Sequence, residues 1–330
     1  MAIDDQEMLA LLAPEYRAYV QRLRAEPGPS LDQLTVADAR ALMRQMQYAD
    51  VSSYEVSTER HILDGFEVLI LRPSCLEGLL PVVVYCHGGG WGLGDCATHA
   101  RMVRDIAVQS QSAVVFVEYA RAPEAPFPVP LEHCYRALTW VAAHGRSLGL
   151  DSARIAVAGD SAGGNLAAGV AMLSVLRSGP ELRMQALLYP VMDCDFTSPS
   201  YRDFEVGLNL DLAAMRWFWD HYLPDAAMRT QPLASPLRAS ADELKNLPPA
   251  LVITAECDVL RDEGEAFARR LAHAGVPVTA VRFPGTLHAF MMIDELARST
   301  QAVSAMSLLS LELRKAFDDH LEPELRGGEG

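Results

Sequence analysis

The sequence predicts an α/β fold with a mostly parallel central sheet flanked by helices. Two observations carry that reading. From residue 80 onward, short apolar runs of strand length alternate with segments of helical length. One such run, residues 155 to 158, meets Gly159-Asp160-Ser161-Ala162-Gly163 just before a helical stretch. Glycines on both sides of the serine allow a sharp strand-to-helix turn, which projects the hydroxyl from the sheet to where a base and a substrate can reach it.

The elements follow in order. Leu9, Leu11, Leu12, Tyr16, Tyr19, Val20 and Leu23 have helical spacing, and a second helix is expected from 36 to 48, after the break at Pro27-Gly28-Pro29-Ser30. Residues 1 to 50 therefore read as a helical segment capping the domain. At residue 51 the period shifts toward two: strands are expected at 54 to 57, 66 to 71, 81 to 86 and 113 to 118. A helix from 130 to 144, a strand from 154 to 158, a helix from 165 to 177 and a strand from 185 to 189 continue the alternation. An insert at about 195 to 224 interrupts it with Met215, Trp217, Phe218, Trp219, Tyr222 and Leu223, which read as a further cap element packed on the body or lining a pocket. The strand at 250 to 255, helix at 262 to 274, strand at 276 to 283 and helix at 301 to 317 complete one catalytic domain over 51 to 320. Residues 321 to 330 read as a flexible tail.

Composition removes several function classes. The 28 Lys and Arg against 43 Asp and Glu leave a net charge of −15, which repels phosphate backbones and offers no basic patch to an anionic membrane. Neither nucleic acid nor membrane is expected as a partner. The start, Met1-Ala2-Ile3-Asp4-Asp5-Gln6-Glu7, is acidic where a secretory leader is basic and then apolar, and no apolar run is long enough to span a bilayer. A soluble cytoplasmic protein is expected. The 6 cysteines contain no C-x-x-C pair and read as free thiols, with no disulfide and no metal site. Cys86 and Cys257 adjoin candidate site residues, but free cysteine is among the most buried residue types, which favours core packing over a thiol nucleophile.

Serine is a poor nucleophile at its own pKa and needs a base within hydrogen-bond reach, itself oriented by a carboxylate. In α/β-hydrolases, which carry the serine on such a strand-to-helix turn, those partners follow it in the order acid, then histidine, each in a loop after a strand. Asp258 follows the strand Leu251-Val252-Ile253-Thr254-Ala255, with Asp262 and Glu263 as competitors for the same role. His288 follows the strand Val278-Thr279-Ala280-Val281-Arg282-Phe283 across the turn Pro284-Gly285-Thr286-Leu287. Upstream, the strand ending at Cys86 enters His87-Gly88-Gly89-Gly90-Trp91, whose glycines lack the spacing of a phosphate-binding loop.

Four separated motifs resemble the hormone-sensitive-lipase-like family of α/β-hydrolases, in its bacterial esterase branch. They are His87-Gly88-Gly89-Gly90-Trp91, Gly159-Asp160-Ser161-Ala162-Gly163-Gly164-Asn165, Asp258-Val259-Leu260-Arg261-Asp262-Glu263-Gly264, and Gly285-Thr286-Leu287-His288-Ala289-Phe290. The likeness spans about residues 80 to 292. One segment departs from the family pattern: Val117-Glu118-Tyr119-Ala120-Arg121-Ala122-Pro123-Glu124 stands where relatives read Val-Asp-Tyr-Arg-Leu-Ala-Pro-Glu.

The resemblance implies that Ser161 attacks an ester carbonyl, His288 shuttles the proton and Asp258 orients the imidazole. It further implies that the backbone N–H groups of Gly88, Gly89 and Ala162 hold the oxyanion, without a cofactor. His87, Gly90, Trp91 and Asp160 are expected to support the loop or line the pocket, Trp91 as an acyl wall or as packing beneath the cap. The implied activity is hydrolysis of small to medium acyl esters. A specialised biosynthetic hydrolase (amide cleavage, acyl transfer or elimination) and a small-ligand receptor on the same scaffold are the alternatives. Family members often pair through the last strand and its helix, so a homodimer is expected there.

Overall fold

The computed structural model describes residues 3–318 other than Gly207; the expected tail at 321 to 330 lies outside them. Helices α1 (Asp5–Leu11), α2 (Pro14–Ala25) and α3 (Val36–Met46) precede the sheet. The first expected helix is thus two. Proline disfavours α backbone in the residue before it, and Pro14 occupies the first position of α2 after extended backbone at Leu12 and Ala13.

The remaining elements alternate as the sequence predicts, except for α4 (Ala100–Ser110) and the short α9 (Ala241–Leu244). They are β1 (Val56–Leu63), β2 (Phe66–Pro73), β3 (Leu80–Cys86), α4 (Ala100–Ser110), β4 (Ala113–Glu118), α5 (Val129–His144), β5 (Leu150–Asp160), α6 (Ala162–Leu176) and β6 (Met184–Leu188), then α7 (Pro199–Asp203) and α8 (Leu212–Tyr222) of the insert, followed by α9 (Ala241–Leu244), β7 (Ala250–Cys257), α10 (Arg261–His273), β8 (Val278–Leu287) and α11 (Thr300–Phe317). Helix α4 is absent from the sequence reading, although Met102, Val103, Ile106 and Ala107 form the apolar stripe that buries it.

Among the described residues the strands form one sheet in the order β1-β2-β4-β3-β5-β6-β7-β8. Strand β2 pairs antiparallel with β1 and β4, and every pairing from β4 to β8 is parallel. Helix α4 packs on α11, and α5 on α6. The strands between them read as near-continuous apolar runs, with all of β3 buried except Pro81, as a sheet covered on both faces requires.

The order reverses between β3 and β5, and in open α/β sheets a crevice forms outside the carboxyl ends at such a switch point. Cys86 is in register with Gly159 there, so the glycine-rich loop leaving β3 and the serine turn leaving β5 start side by side. Among the described residues no helix is long and apolar enough to cross a membrane.

Candidate active site

Ser161 sits between β5 and α6 with φ 55° and ψ −121°, a strained region for a residue with a side chain. The turn is held at both ends: Ser161 N–H donates to Leu188 O at 2.8 Å, and Ser161 O accepts from Val191 N–H at 3.2 Å. Only glycine fits beside it. A Cβ at Gly163 would stand 2.0 Å from Cys86 O, because α6 starts directly against the end of β3.

The hydroxyl Oγ of Ser161 lies 2.9 Å from His288 Nε2, and His288 Nδ1–H donates to Asp258 Oδ2 at 2.7 Å. The other carboxylate oxygen of Asp258 accepts from Leu260 N–H at 2.9 Å, which fixes the acid in its own turn. The competing acids are engaged elsewhere: Asp262 accepts from Ser200 N–H at 2.8 Å and Glu263 from Met192 N–H at 2.7 Å. Burial drives the Glu263 carboxyl well above its ordinary value. Burial likewise pushes the Cys257 thiol up to about 12, so it carries no thiolate near neutrality.

The loop after β3 runs through three consecutive residues with positive φ, Gly89 (102°), Gly90 (58°) and Trp91 (58°). Among the described residues, the N–H groups of Gly89 and Gly90 donate to no protein acceptor, and neither does that of Ala162 at the start of α6. The N–H of Gly88 is committed instead: it donates to Asp160 Oδ1 at 2.9 Å, an oxygen that also accepts the Tyr85 O–H at 2.8 Å.

The family described as alpha/beta hydrolase fold matches residues 83–292. The carboxylesterase NlhH of Mycobacterium tuberculosis H37Rv is 39% identical over 260 residues, 77% of this chain and 81% of that protein. The ethyl acetate hydrolase of Pseudomonas putida is 34% identical over 70% of this chain and 72% of that one. The crystal structure of a thermostable esterase from Pseudomonas putida ECU1011 superposes with a TM-score of 0.90 at 43% identity, covering 93% of this chain and 98% of the other. The chain belongs to the alpha/beta hydrolase fold family.

In this α/β-hydrolase one sequence expectation needs correction. Gly88 does not offer its N–H to a substrate oxygen, because the buried Asp160 carboxylate takes it; Gly90 is the additional loop donor left open. Of the two readings open for Trp91, packing beneath the insert describes it: the side chain is fully buried, stacked on Tyr222 at 4.1 Å and tilted against Trp219 at 4.9 Å. The spacing of Met215, Phe218, Trp219 and Tyr222 gives α8 the apolar face that receives it.

His87 is buried and stacked on Tyr119 at 4.1 Å. Burial lowers its pKa to about 3, so the ring is neutral and Nδ1–H donates to Gly88 O at 2.8 Å. Beneath it, His99 Nε2 lies 3.4 Å from Asp160 Oδ1. Burial opposes both charges, yet attraction to His99 keeps the Asp160 carboxyl below its ordinary range, and Asp160 holds His99 above its own. The His99–Asp160 pair is thus sealed under the loop.

Several contacts have no signal in the motifs. Asn209 of the insert donates to His288 O at 2.8 Å. The residues that depart from the family pattern still reach the loop: Glu118 accepts from Cys96 N–H at 2.7 Å, and Arg121 donates to Gly94 O. An apolar cavity of about 320 Å³ opens beside Ala289, lined from α3 by Leu42 and Met43, from the insert by Asn209 and Ala214, and by Leu93 and Ile293. Among the described residues no group of three or more metal-ligating side chains is gathered.

Proposed function

We propose that the protein is a serine carboxylesterase acting on small to medium acyl esters through an acyl-serine intermediate. The observation that carries this reading is the continuous chain Ser161 Oγ, His288, Asp258 at 2.9 and 2.7 Å. In it the Ser161 hydroxyl attacks the ester carbonyl carbon while His288 Nε2 accepts its proton. The negative charge that develops on the carbonyl oxygen is held by the N–H groups of Gly89, Gly90 and Ala162, each worth roughly 3 kcal/mol in such a site. His288 then returns the proton to the departing alcohol, and Asp258 stabilises the imidazolium between the two transfers. Water attacks the acyl-serine with His288 again as base and releases the acid.

The esterases and the ethyl acetate hydrolase among the relatives support the substrate class. In this reading the helices of residues 1 to 50 and the insert at about 195 to 224 serve as a cap, since the cavity beside Ala289, the residue after His288, is lined from both. Its apolar lining suits a short hydrocarbon chain better than a charged substrate.

The test is hydrolysis of p-nitrophenyl esters from acetate to laurate by wild type and Ser161→Ala, with organophosphate labelling of both. Loss of the serine in comparable triads lowers kcat by about six orders of magnitude. Turnover and labelling that vanish together in the variant support the reading. A wild type that neither turns over esters nor takes the label overturns it.

A further inference from the structure

The loop that carries the Gly89 and Gly90 N–H groups has little regular structure of its own, because three successive residues with positive φ cannot join a helix or a strand ladder. Its shape is set by a turn in which Leu93 N–H donates to Gly89 O at 2.7 Å, by the Gly88 N–H on Asp160, and by what its other carbonyls bind. Trp91 O accepts from Ala122 N–H at 3.0 Å, and Gly94 O from Arg121. Gly92 O, two residues after Gly90, accepts from Arg40 Nε at 2.8 Å.

Arg40 lies outside the catalytic motifs, on α3. Its Nη2 donates to Ala122 O at 3.0 Å, and its two terminal nitrogens grip Glu124 at 2.8 and 2.7 Å. One guanidinium therefore ties the loop after β3 to the segment after β4, a use of its planar fork that an ammonium cannot reproduce. One turn further along α3, Arg44 Nε donates to Asp95 Oδ2 at 2.6 Å, where the same loop ends. The neighbouring face of α3 presents Ala39, Leu42, Met43 and Met46 to the apolar cavity. The helix that walls the cavity is thus also the helix that grips the loop.

We propose that Arg40, supported by Arg44, is a positioning residue for the oxyanion-binding N–H groups, and that α3 couples the seating of the substrate's hydrocarbon chain to their alignment. The inference rests on the serine-esterase reading above. Oxyanion donors act on charge present only in the transition state. Loosening the loop therefore lowers kcat more than it raises KM.

The experiment compares wild type, Arg40→Gln, Arg40→Lys and Glu124→Gln on p-nitrophenyl butyrate. Sites are counted by the organophosphate burst, melting temperatures are recorded, and affinity is measured for a trifluoromethyl ketone, whose adduct with Ser161 carries the oxyanion. Small misplacements of catalytic groups cost up to about a hundredfold, and Arg40→Gln is expected to lose about tenfold or more in kcat per titrated site. Its KM should stay within about threefold, and ketone affinity should fall in step with kcat.

Arg40→Lys, which keeps the charge opposite Glu124, should recover the melting temperature but not kcat. Glu124→Gln, which leaves both carbonyl bonds, should lose less than Arg40→Gln. If Arg40→Gln does not fold, Arg40→Lys is judged alone on the same measures. Unchanged kcat and ketone affinity per site in the folded variants, with wild type active, overturn this inference and leave the esterase reading standing. A wild type without turnover or labelling overturns both.

Discussion

Asp160 stands immediately before Ser161 in the chain and accepts the N–H of Gly88 at 2.9 Å across the switch point of the sheet. The residue that precedes Ser161 thereby holds the loop facing it, so Ser161 and the open N–H groups of Gly89 and Gly90 share one rigid base. The contact is close: a Cβ at Gly88 would stand 2.3 Å from Asp160 Oδ2. Removing the charge should loosen both. Asp160→Asn is expected to lower kcat by about tenfold to a hundredfold and to depress the melting temperature, with kinetics per titrated site separating the two losses.

The three late acids should separate cleanly. Asp258→Asn leaves the imidazole without its orienting carboxylate and should lower kcat by about four orders of magnitude, as in other triads. Asp262→Asn, which touches only the backbone of Ser200 and the neighbouring Arg261, should retain turnover within about a few fold. Kinetics of the two purified variants check this, and comparable losses in both would contradict the assignment of Asp258.

Gly163→Ala should not accumulate as native protein. Its Cβ would lie 2.0 Å from Cys86 O and 2.6 Å from the His87 carbonyl, backbone atoms at the centre of the sheet that have nowhere to move. A destabilisation of more than about 4 kcal/mol is expected, read as lost soluble yield or a steeply lowered denaturant midpoint.

Gly90 and Phe218 should be coupled. A Cβ at Gly90 would fall 1.9 Å from the Phe218 ring, at φ 58°. Gly90→Ala should therefore lose most activity by displacing the loop, and adding Phe218→Ala should recover part of it by making room, despite the roughly 3–5 kcal/mol cost of a truncated buried ring. A double-mutant cycle on kcat tests the pair; strict additivity would contradict the contact.

The buried pair beneath the loop gives a signed pH dependence. The folded-state pKa of His99 is raised, so its contribution to stability is complete below its ordinary value and is lost as pH rises through the raised one. That of Asp160 is lowered, so its contribution is present above the ordinary carboxylate range and is lost as pH falls through the lowered value. Glu263, raised by burial, adds a loss that sets in as pH rises above the ordinary carboxylate range. The melting temperature should fall as pH rises through the raised His99 value, and His99→Gln should flatten that fall. A scan of melting temperature against pH for both proteins checks it.

Much of the scaffold is written in local pattern. The alternation of β3 to β8 with their helices, the glycine-flanked turn at Ser161, and the order serine, acid, histidine are legible because periodicity and turn chemistry act over a few residues. Bounds drift by a few residues, as where β8 runs on to Leu287. The break before Pro14 was equally local and could have been read. Asp258 is favoured over Asp262 and Glu263 by one local signal, its place first after the strand.

What tertiary structure alone decided are the contacts between distant segments. Ser161 and His288 are 127 residues apart in sequence; the motif order named both, and only the parallel run of β5 to β8, with its carboxyl ends on one edge, brings them within a hydrogen bond. The family resemblance implied an open N–H at Gly88 and left Trp91 between a pocket wall and packing beneath the cap. The fold overturns the first, because Asp160 arrives from a strand 72 residues away, and decides the second, because α8 closes over the indole. Arg40 carried no motif, and its role depends on carbonyls 52 and 82 residues distant. Local chemistry determines which residues are able to react, whereas which N–H is free, which ring is covered and which arginine grips the loop depend on long-range packing.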